Sequence, residues 1–397
     1  MALSLFGYGK TTRAIAKKIG PSTFYDDNVS KPHTDEDGNQ LKPSSEFEAK
    51  YSDCEIPSPG MAPSHPLIKQ AQNLISEYDY FADEMPPSVW ISGTNGKTTT
   101  TQMIQTLLAS HGSLAGGNIG TPLAELDTEA SLWILETSSF TLHYTNKAVP
   151  QVYVLLPITP DHLYWHGSMS EYEESKLKPL TMMKEGDAVI IPKKYENYPT
   201  KAMKICYESN EDLASYFDID IARLRFKGAF LQDALLALGV SKILFDECDY
   251  ELVNAMPLDA HRQEELHDKK GRLWVNDSKA TNLDATLQAV LTYKDKPLSL
   301  ILGGDDKGVD LKPLFEVLKD LDVHIYAIGS NEDKLLKLAS EFKLQAKGYK
   351  TLDNACKNIS TKDDLERTVL LSPAAASLDQ FSSYGQRGDE FKKFALL

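Results

Sequence analysis

The strongest chemical signal in the sequence is a glycine-rich segment, Gly93-Thr-Asn-Gly-Lys-Thr-Thr99, between an apolar strand and a helix. Glycines let backbone amides curl around phosphate oxygens, Lys97 can reach the outer phosphates of a nucleotide, and the Thr98 hydroxyl can bind Mg²⁺. The general phosphate-loop pattern has one more glycine where this chain has Ile91, so we predict a compact variant of that loop. The alternative is a Gly-Asn turn that binds nothing.

Two further segments carry side chains that bind metals, and both follow apolar strands. Glu136 ends its strand, where a carboxylate beside a phosphate loop is well placed to hold Mg²⁺, although such residues are more often simply solvated. His162 and His166 are four residues apart and allow a zinc pair if both lie on one helix. We disfavour zinc, because no third ligand is nearby and Leu163 replaces the glutamate of the zinc-protease motif.

Composition restricts the class of protein. The 397 residues are more than one core usually serves, so we expect two to four domains. A formal net charge of −15 without a dense Lys/Arg run argues against nucleic acid as a partner. Scattered cysteines suit a reducing cytosol, and we find neither a signal peptide nor an apolar run long enough to cross a bilayer. We therefore expect a cytoplasmic protein without membrane insertion.

Short apolar strands alternate with amphipathic helices along the chain, which predicts α/β domains with largely parallel sheets. The pattern divides the chain into three segments, at residues 1–79, 80–257 and 258–397. The clearest predicted strands are Ala2–Phe6, Val89–Ile91, Leu132–Leu135, Val152–Leu156, Ala188–Ile191, Leu273–Val275, Leu298–Leu302, His324–Ile328 and Thr368–Leu371. The polar stretch from Asn28 to Pro43 predicts a loop.

The first segment opens with Gly7-Tyr-Gly9-Lys-Thr-Thr12, which has the first two glycines of a dinucleotide-binding fingerprint. Thr12 replaces the third glycine, so the indication of NAD is weak. Asp26 and Asp27 end the next short strand. A glycine-rich turn that only lets the strand and helix pack together explains the same residues.

Taken together, the loop and the residues that follow it resemble the Mur ligase family, which also includes folylpolyglutamate synthetase. Glu136, His162 and Lys176 follow the loop in the family's order. The resemblance implies that Lys97 is catalytic, that Thr98, Glu136 and His162 serve two Mg²⁺ sites, and that Lys176 is carbamylated. The helix pattern alone predicts Lys176 to be a surface residue. A carbamate would give it the anionic oxygens that Mg²⁺ prefers and that an ammonium lacks.

Four motifs in the third segment resemble the branch of the family that adds D-glutamate. They are Asn276-Asp-Ser-Lys-Ala-Thr-Asn282, Leu302-Gly-Gly-Asp-Asp-Lys307, Leu371-Ser-Pro-Ala-Ala-Ala-Ser377-Leu-Asp-Gln-Phe381 and Gly385-Gln-Arg-Gly388. The Asp-Asn-Pro-Arg motif of the diaminopimelate- or lysine-adding branch is absent. By resemblance, the residues around D-glutamate are Thr281, Lys307, Ser377, Leu378 and Tyr384, the last in place of the usual Phe.

The resemblance also implies nucleotide-binding and UDP-binding residues. ATP would contact Gly93, Thr94, Asn95, Gly96, Lys97, Thr98, Thr99, Arg262 and Asp277, with Lys279 catalytic near the reacting groups. The UDP-linked substrate would contact Lys10, Thr11, Asp26, Asp27, Gly60, Asn118 and Ser138. One departure is plain, because the family's Gly-x-His-Asn-x-x-Asn segment reads Gly228-Ala-Phe-Leu-Gln-Asp-Ala234 here, so we assign no adenine contacts.

The implied architecture is a Rossmann-like first domain, a central phosphate-loop ATPase domain and a Rossmann-like third domain, in a monomer that binds only small molecules. The implied reaction is ATP-driven joining of D-glutamate to UDP-N-acetylmuramoyl-L-alanine through an acyl phosphate, with closure of the third segment over the second. The alternatives are a sister Mur ligase, a folylpolyglutamate synthetase, or a non-catalytic binding protein that ATP switches. The general base is not identified by the sequence.

Overall fold

The computed structural model describes residues 2–257, 259–306 and 308–396, and the chain forms two compact units. One unit extends through Phe226 and resumes over Phe230–Met256; the other comprises Lys227–Ala229 and the chain from Pro257 onward. The described residues form three mostly parallel sheets with helices between their strands, which confirms the predicted α/β class. The domain boundaries after residues 79 and 257 stay a prediction.

The first sheet lies in the first unit and is built from short strands. Its strands are β1 (Leu3–Phe6), β2 (Thr23–Asp26), β3 (His33–Thr34), β4 (Gln40–Pro43) and β5 (Cys54–Pro57), and the helices of this region are α1 (Lys10–Ile19), α2 (Pro66–Gln70) and α3 (Glu77–Tyr80). The strand order is β3-β4-β2-β1-β5, and every pair is parallel except β3 with β4. Because β1 lies between β2 and β5, the segments that follow these three strands meet at one edge.

The prediction of a loop from Asn28 to Pro43 is wrong in part, because β3 and β4 lie within it. Leu41 is buried at 5% exposure and pairs in register with Phe24 of β2, which ties β4 into the sheet. A single buried apolar residue in a four-residue strand leaves no periodicity to detect.

The second sheet, also in the first unit, is parallel throughout. Its strands are β6 (Ser88–Ser92), β7 (Ser113–Gly117), β8 (Leu132–Glu136), β9 (Val152–Leu155), β10 (Ala188–Pro192) and β11 (Met203–Tyr207). The helices that follow α3 in sequence are α4 (Lys97–Leu108), α5 (Ser139–Tyr144), α6 (Leu163–His166), α7 (Met169–Met182), α8 (Asn210–Phe217), α9 (Gly228–Phe245) and α10 (Tyr250–Ala255). In the order β11-β10-β9-β6-β8-β7, strand β6 has β8 and β9 as neighbours, so the three segments that carry the predicted chemistry leave the same edge.

The third sheet lies in the second unit. Its strands are β12 (Glu264–His267), β13 (Leu273–Asn276), β14 (Leu298–Gly303), β15 (Val323–Ile328), β16 (Gln345–Lys350) and β17 (Thr368–Leu371), and its helices are α11 (Leu283–Thr292), α12 (Lys312–Leu318), α13 (Glu332–Glu341), α14 (Leu352–Ser360) and α15 (Tyr384–Ala395). The order is β12-β13-β17-β14-β15-β16, with only β12 antiparallel among these strands. The motifs after β13, β14 and β17 therefore share one edge, because these strands are adjacent.

Helix α9 corrects one expectation from composition. Among the described residues it is long and apolar enough, by length and composition alone, to cross a bilayer. However, 56% of it is buried inside the structure, and the core helix of a water-soluble protein passes the same test. It is therefore weak evidence for a membrane.

Candidate active site

The phosphate loop joins β6 to α4 with a backbone that only glycine tolerates at its first position. Gly93 has a φ of 140°, and a Cβ there would lie 2.5 Å from the Cβ of Leu156. Helix α4 begins at Lys97, so its positive amino end faces the loop. The Nζ of Lys97 donates to the carbonyls of Gly93 (2.9 Å) and Thr94 (2.7 Å). Asn95, Gly96 and Thr98 are half-buried along the same loop, and Thr99 is buried in α4.

Glu136 is not solvated at its strand end; it is buried at 2% exposure. Its Oε2 accepts a hydrogen bond from the Thr98 hydroxyl at 2.8 Å, and its Oε1 accepts one from the Asn118 amide at 2.6 Å. Burying a carboxylate between neutral partners is unfavourable unless something compensates its charge. The carboxylate and the Thr98 hydroxyl thus place side by side two oxygens of the kind that Mg²⁺ prefers.

Lys176 is fully buried at 1% exposure, so the helix pattern misplaced it on the surface. Its Nζ donates to the Gly93 carbonyl at 2.8 Å and to the Ser92 hydroxyl at 3.3 Å. The Gly93 carbonyl therefore accepts from both Lys176 and Lys97. Burial, together with the charge of Lys97, lowers the pKa of Lys176 well below its usual value. An uncharged amine is the form that reacts with carbon dioxide.

The two histidines of the middle segment have different surroundings. His162 is the residue before α6, in the left-handed region at φ 52°, with its side chain 39% exposed and its Nε2 3.5 Å from Asp161 Oδ2. Its ring lies edge-on to Phe140 at 4.8 Å between centroids. No group of three or more His, Cys, Asp or Glu in the described part of the chain is arranged to hold a metal ion. Mg²⁺ differs in this respect, since it takes one or two carboxylates and completes its shell with phosphates and water.

His166 belongs to a buried network instead. The Ser175 hydroxyl donates to the Glu171 carbonyl at 2.8 Å, so its oxygen accepts from Nδ1 of His143 (3.2 Å) and Nδ1 of His166 (3.4 Å). The Nε2 of His166 then accepts from the Ser139 hydroxyl at 2.9 Å. Burial, the largest cause, lowers the pKa of His166 to about 4 and also lowers that of His143, so it favours the neutral form of both rings. The network ties α5 to α7.

The residues predicted to hold the UDP end of the substrate gather where β1, β2 and β5 end. The Asp26 carboxylate accepts from the backbone amides of Tyr8 and Asn28, both at 2.7 Å. Asp27 accepts from Ser44 and His65, and these hydrogen bonds lower its pKa.

Lys10, Thr11 and Gly60 border the same edge of the first sheet. The Nζ of Lys10 is exposed and donates to the Gly120 carbonyl at 2.5 Å, and Thr11 lies half-buried in the first turn of α1. Gly60 is exposed just after β5.

Two further predicted contacts lie nearer to Glu136. Asn118 donates to the Glu136 carboxylate and its backbone amide donates to the Glu136 carbonyl at 2.8 Å. Ser138 caps α5 by accepting from the Thr141 amide at 3.0 Å. Asn118 is therefore held by the candidate metal residue in this structure, and its predicted contact with the sugar-phosphate stays a prediction.

In the second unit, Asp277 and Lys279 lie in the motif that follows β13, and Arg262 lies just before β12. Asp277 is buried and accepts from the Ser372 hydroxyl at 2.7 Å; burial raises its pKa to about 7 against this hydrogen bond. The Nζ of Lys279 lies 4.1 Å from the centroid of the Tyr384 ring. Arg262 pairs loosely with Asp259 at 3.5 Å. These are the groups expected near the nucleotide and the reacting atoms.

The residues predicted to surround D-glutamate are more exposed. Thr281, Leu378 and Tyr384 are exposed, Leu378 at 70%, whereas Ser377 is buried. All four belong to segments that leave the carboxyl edge of the third sheet. Lys307 lies outside the described residues.

The sequence reading missed the side chain that joins these segments. Arg387, buried at 1% exposure, donates from Nε to the Ser278 hydroxyl (2.9 Å), from Nη2 to the Ser278 carbonyl (2.9 Å), and from both Nη atoms to the Ala375 carbonyl (3.1 Å). The Ser278 hydroxyl in turn donates to the Tyr384 carbonyl at 2.8 Å. The Gly385-Gln-Arg-Gly388 motif contained the signal, but no pattern indicates burial of its arginine.

Two residues beside the phosphate loop were also missed. The Tyr172 hydroxyl lies 3.0 Å from the Thr94 hydroxyl, and its ring centroid lies 4.9 Å from the Nζ of Lys176. Asp233 of α9 is buried and accepts from the Thr100 hydroxyl at 2.8 Å. Nothing in the sequence around Asp233 marks it, because the family's asparagines are replaced there.

A family model, curated proteins and solved structures that match this chain all belong to the Mur ligases. Residues 91–223 match the model of the Mur ligase middle domain. A UDP-N-acetylmuramoylalanine–D-glutamate ligase of Campylobacter jejuni (strain 81-176) is 54% identical over 397 residues, covering 99% of each chain. A protein of the same name from Helicobacter pylori (strain HPAG1) is 44% identical over 420 residues, covering 100% of each. Among solved structures, the MurF ligase of Thermotoga maritima in complex with ADP is similar in fold, with 16% identity, a TM-score of 0.59, and coverage of 95% of this chain and 94% of that one.

Proposed function

This chain belongs to the Mur ligase family, and we propose that it joins D-glutamate to UDP-N-acetylmuramoyl-L-alanine with hydrolysis of ATP, in peptidoglycan precursor synthesis. Identity of 54% along almost the whole length of a ligase named for this reaction supports the substrates. The observation that carries the chemistry is the meeting of Lys97, Glu136 and Lys176 at one edge of the second sheet.

The reaction must first activate a carboxylate, because oxide is too poor a leaving group for an amine to displace. An oxygen of the alanyl carboxylate attacks the γ-phosphorus of ATP, and ADP leaves. The amine nitrogen of D-glutamate then attacks the acyl carbon, the bond to the phosphate oxygen breaks, and phosphate and a proton are released. The protein's part is to position the groups and to compensate the charge on the transferring phosphoryl group.

Lys97 and the phosphate loop are suited to the ATP phosphates. The ammonium lies against the Gly93 and Thr94 carbonyls, and exchanging these neutral acceptors for an anionic phosphate oxygen would give a stronger hydrogen bond. The loop amides and the positive end of α4 add to the same field. Lys97 would therefore stabilise charge that grows as the phosphoryl group is transferred.

The oxygen donors beside the loop fit Mg²⁺. We propose that Thr98 and Glu136 hold one ion, and that His162 and a carbamate on Lys176 hold a second. When bound, Mg²⁺ compensates negative charge on the phosphates and on the carboxylate to be activated. The burial of Lys176 and its lowered pKa support the carbamate, because a permanent ammonium at this depth would repel both Lys97 and the ions.

Two further groups of residues would bind the other substrates. The edge where β1, β2 and β5 end would hold the UDP group through Lys10, Thr11, Asp26, Asp27 and Gly60, with Asn118 and Ser138 nearer the sugar and phosphate. In the second unit, Thr281, Lys307, Ser377, Leu378 and Tyr384 would bind D-glutamate, with Lys279, Asp277 and Arg262 nearer ATP. We also propose that the enzyme is a cytoplasmic monomer that binds no nucleic acid, and that the third segment closes over the second.

Release of phosphate with single amino acids tests the proposal. The protein is incubated with Mg-ATP, bicarbonate and UDP-N-acetylmuramoyl-L-alanine, and then with D-glutamate, L-glutamate, L-alanine or meso-diaminopimelate. Release with D-glutamate alone, with a product heavier by one glutamyl residue, supports it. Release instead with UDP-N-acetylmuramate plus L-alanine, or with a folate plus L-glutamate, identifies a sister activity. If the protein binds ATP but turns over none of these substrates, the alternative of a non-catalytic binding protein that ATP switches is supported.

A further inference from the structure

Trp165 connects two predicted sites that lie about one hundred residues apart in sequence. Its indole Nε1 donates to the backbone carbonyl of Gly60 at 3.0 Å, and the side chain is buried at 5% exposure. Gly60 follows β5 on the UDP edge of the first sheet, whereas Trp165 belongs to α6, directly after His162. Both lie in the first compact unit.

On the first-sheet side, the segment that Trp165 holds lies against the glycine turn. The Met61 amide donates to the Ser58 carbonyl at 2.9 Å, which closes the turn around Gly60. A Cβ on Gly7 would lie 3.1 Å from the Cβ of Ser58, and one on Gly9 would lie 3.2 Å from its hydroxyl. A displacement of the Gly60 segment therefore reaches the glycine turn that precedes Lys10 and Thr11, which are proposed to hold the UDP group.

On the second-sheet side, the indole is fixed by aromatic packing. It stacks on Phe140 with centroids 4.6 Å apart and an interplanar angle of 30°, and it lies 4.4 Å from the neighbouring His166 ring. Phe140 also meets the His162 ring edge-on at 4.8 Å. The buried network of His166 with Ser139 and Ser175 holds this cluster in place. The anchor of the indole is thus the same group of rings that surrounds His162.

A second side chain of this cluster reaches the same segment. The Tyr144 hydroxyl donates to the Met61 carbonyl at 2.8 Å, and its ring centroid lies 5.9 Å from that of Trp165. Two consecutive carbonyls, of Gly60 and Met61, therefore each accept a hydrogen bond from a buried aromatic side chain of the second-sheet region. Buried Trp and Tyr side chains usually find a hydrogen-bond acceptor, and here both acceptors belong to the same backbone segment, which fixes its position.

We propose that Trp165, assisted by Tyr144, is a positioning residue for the UDP-linked substrate: it fixes the Gly60–Met61 segment against the ring cluster beside His162. This inference rests on the proposed function and deepens it, since it names what aligns the UDP end of the substrate with the reacting end. Trp165 itself does not contact the reacting atoms in this scheme.

Trp133 provides a matched control. Its Nε1 donates to the Asp127 carbonyl at 2.9 Å, six residues earlier in the chain, and its side chain is as buried as that of Trp165. Trp165→Phe and Trp133→Phe each remove one indole donor from one carbonyl and leave an aromatic ring. Tyr144→Phe removes a single hydroxyl, and it tests the same inference if Trp165→Phe does not fold.

Binding and turnover are measured together for these variants. One hydrogen bond of this kind corresponds to about a fivefold change in an equilibrium constant. We expect Trp165→Phe and Tyr144→Phe each to weaken calorimetric binding of UDP-N-acetylmuramoyl-L-alanine, without ATP, by about fivefold. The KM for that substrate should rise equally, with the KM values for D-glutamate and ATP unchanged. Trp133→Phe should change none of them.

Intrinsic fluorescence gives an independent readout. We expect the UDP substrate to change the emission of the wild-type protein and of Trp133→Phe, but not that of Trp165→Phe. Unchanged affinity in both Trp165→Phe and Tyr144→Phe, or equal increases in all KM values, overturns the inference while the proposed function stands. A wild-type protein that does not bind the UDP substrate overturns the proposed function and this inference with it.

Discussion

The carboxyl edges of the second and third sheets differ in which side chains they bury. At the edge of the second sheet, two side chains proposed to carry the chemistry are themselves buried: Glu136 at 2% and Lys176 at 1% exposure. Lys97 and His162 are half-buried there. At the edge of the third sheet, most side chains proposed to bind D-glutamate are exposed, and a buried arginine, Arg387, supports their segments. One edge buries two of its reactive groups, and the other buries the group that holds its binding segments.

This difference separates chemistry from recognition. A buried charge is costly in the absence of substrate, but its field acts strongly on charge that develops in a water-poor site. An exposed ligand adds only the interactions it makes with its substrate, so its geometry must come from elsewhere. Substitutions of the buried groups at the first edge should therefore lower kcat, whereas those in the segments proposed to bind D-glutamate should raise the KM for that substrate. The following experiments test this division.

Lys176→Met should have the largest effect. Losing the carbamate would remove a ligand of the second proposed Mg²⁺, whose charge would compensate that of the phosphoryl group, and we expect kcat to fall by about a thousandfold. Lys178→Met is the control, because Lys178 lies in the same helix and donates to the His143 carbonyl at 2.7 Å, away from the loop. Wild type grown in carbon-13 bicarbonate should show a carbamate signal by NMR that Lys176→Met lacks. Equal activity of both variants would contradict the carbamate.

Glu136→Gln keeps the shape of the side chain and removes its charge. We expect kcat to fall by about a hundredfold and the Mg²⁺ concentration for half-maximal activity to rise, because the Thr98–Glu136 pair loses its anionic member. Glu77→Gln is the matched control: Glu77 is also buried in the first unit, and burial raises its pKa to about 7. If the two variants require the same Mg²⁺ concentration, Glu136 is structural.

Arg387→Met tests the second edge. It should raise the KM for D-glutamate by about tenfold with kcat little changed. The reason is that the hydrogen bonds of Arg387 to the Ser278 and Ala375 segments contribute roughly one to three kcal/mol to holding those segments in place. Arg272 is equally buried, and donates to the Ile359 and Lys362 carbonyls (2.7 and 2.8 Å) from the amino end of β13. Arg272→Met should lower the Tm without changing that KM. If both variants lose stability and the KM for D-glutamate is the same in both, Arg387 has no special role in positioning the D-glutamate segments.

The residues in these comparisons also mark what a sequence discloses. The phosphate loop and Glu136 were predictable, because a strand, a turn and a helix in succession place them by local pattern. Lys176 was not, since Tyr172-Glu-Glu-Ser-Lys176 has the polarity of a surface helix, and its burial arises from tertiary packing in which the Tyr153 hydroxyl meets the Lys176 carbonyl at 2.6 Å. The burial of Arg387 depends in the same way on segments distant in sequence.

The strands show the same limit. Apolar runs such as Val152–Leu155 are buried on both faces and stand out in the sequence. The edge strand Gln345–Lys350 alternates exposed residues with half-buried ones and carries two lysines, so its sequence resembles a loop. Its place is set by register with β15, from His324 paired with Gln345 onward. Whether such a segment forms a strand depends on the strand it pairs with, and the sequence of the segment alone does not show that pairing.

Tyr384 should give the smallest effect and the finest test of the second edge. Its ring faces the Nζ of Lys279 at 4.1 Å, a cation–π contact of about 0.5 to 1 kcal/mol at an exposed site. Tyr384→Phe keeps that face, so we expect kcat/KM for D-glutamate to stay within about twofold. Tyr384→Leu removes it and should raise the KM for D-glutamate by about two- to fivefold. A loss with Tyr384→Phe as large as with Tyr384→Leu would transfer the role from the ring to the hydroxyl, and a fall in kcat alone would place this edge within the chemistry.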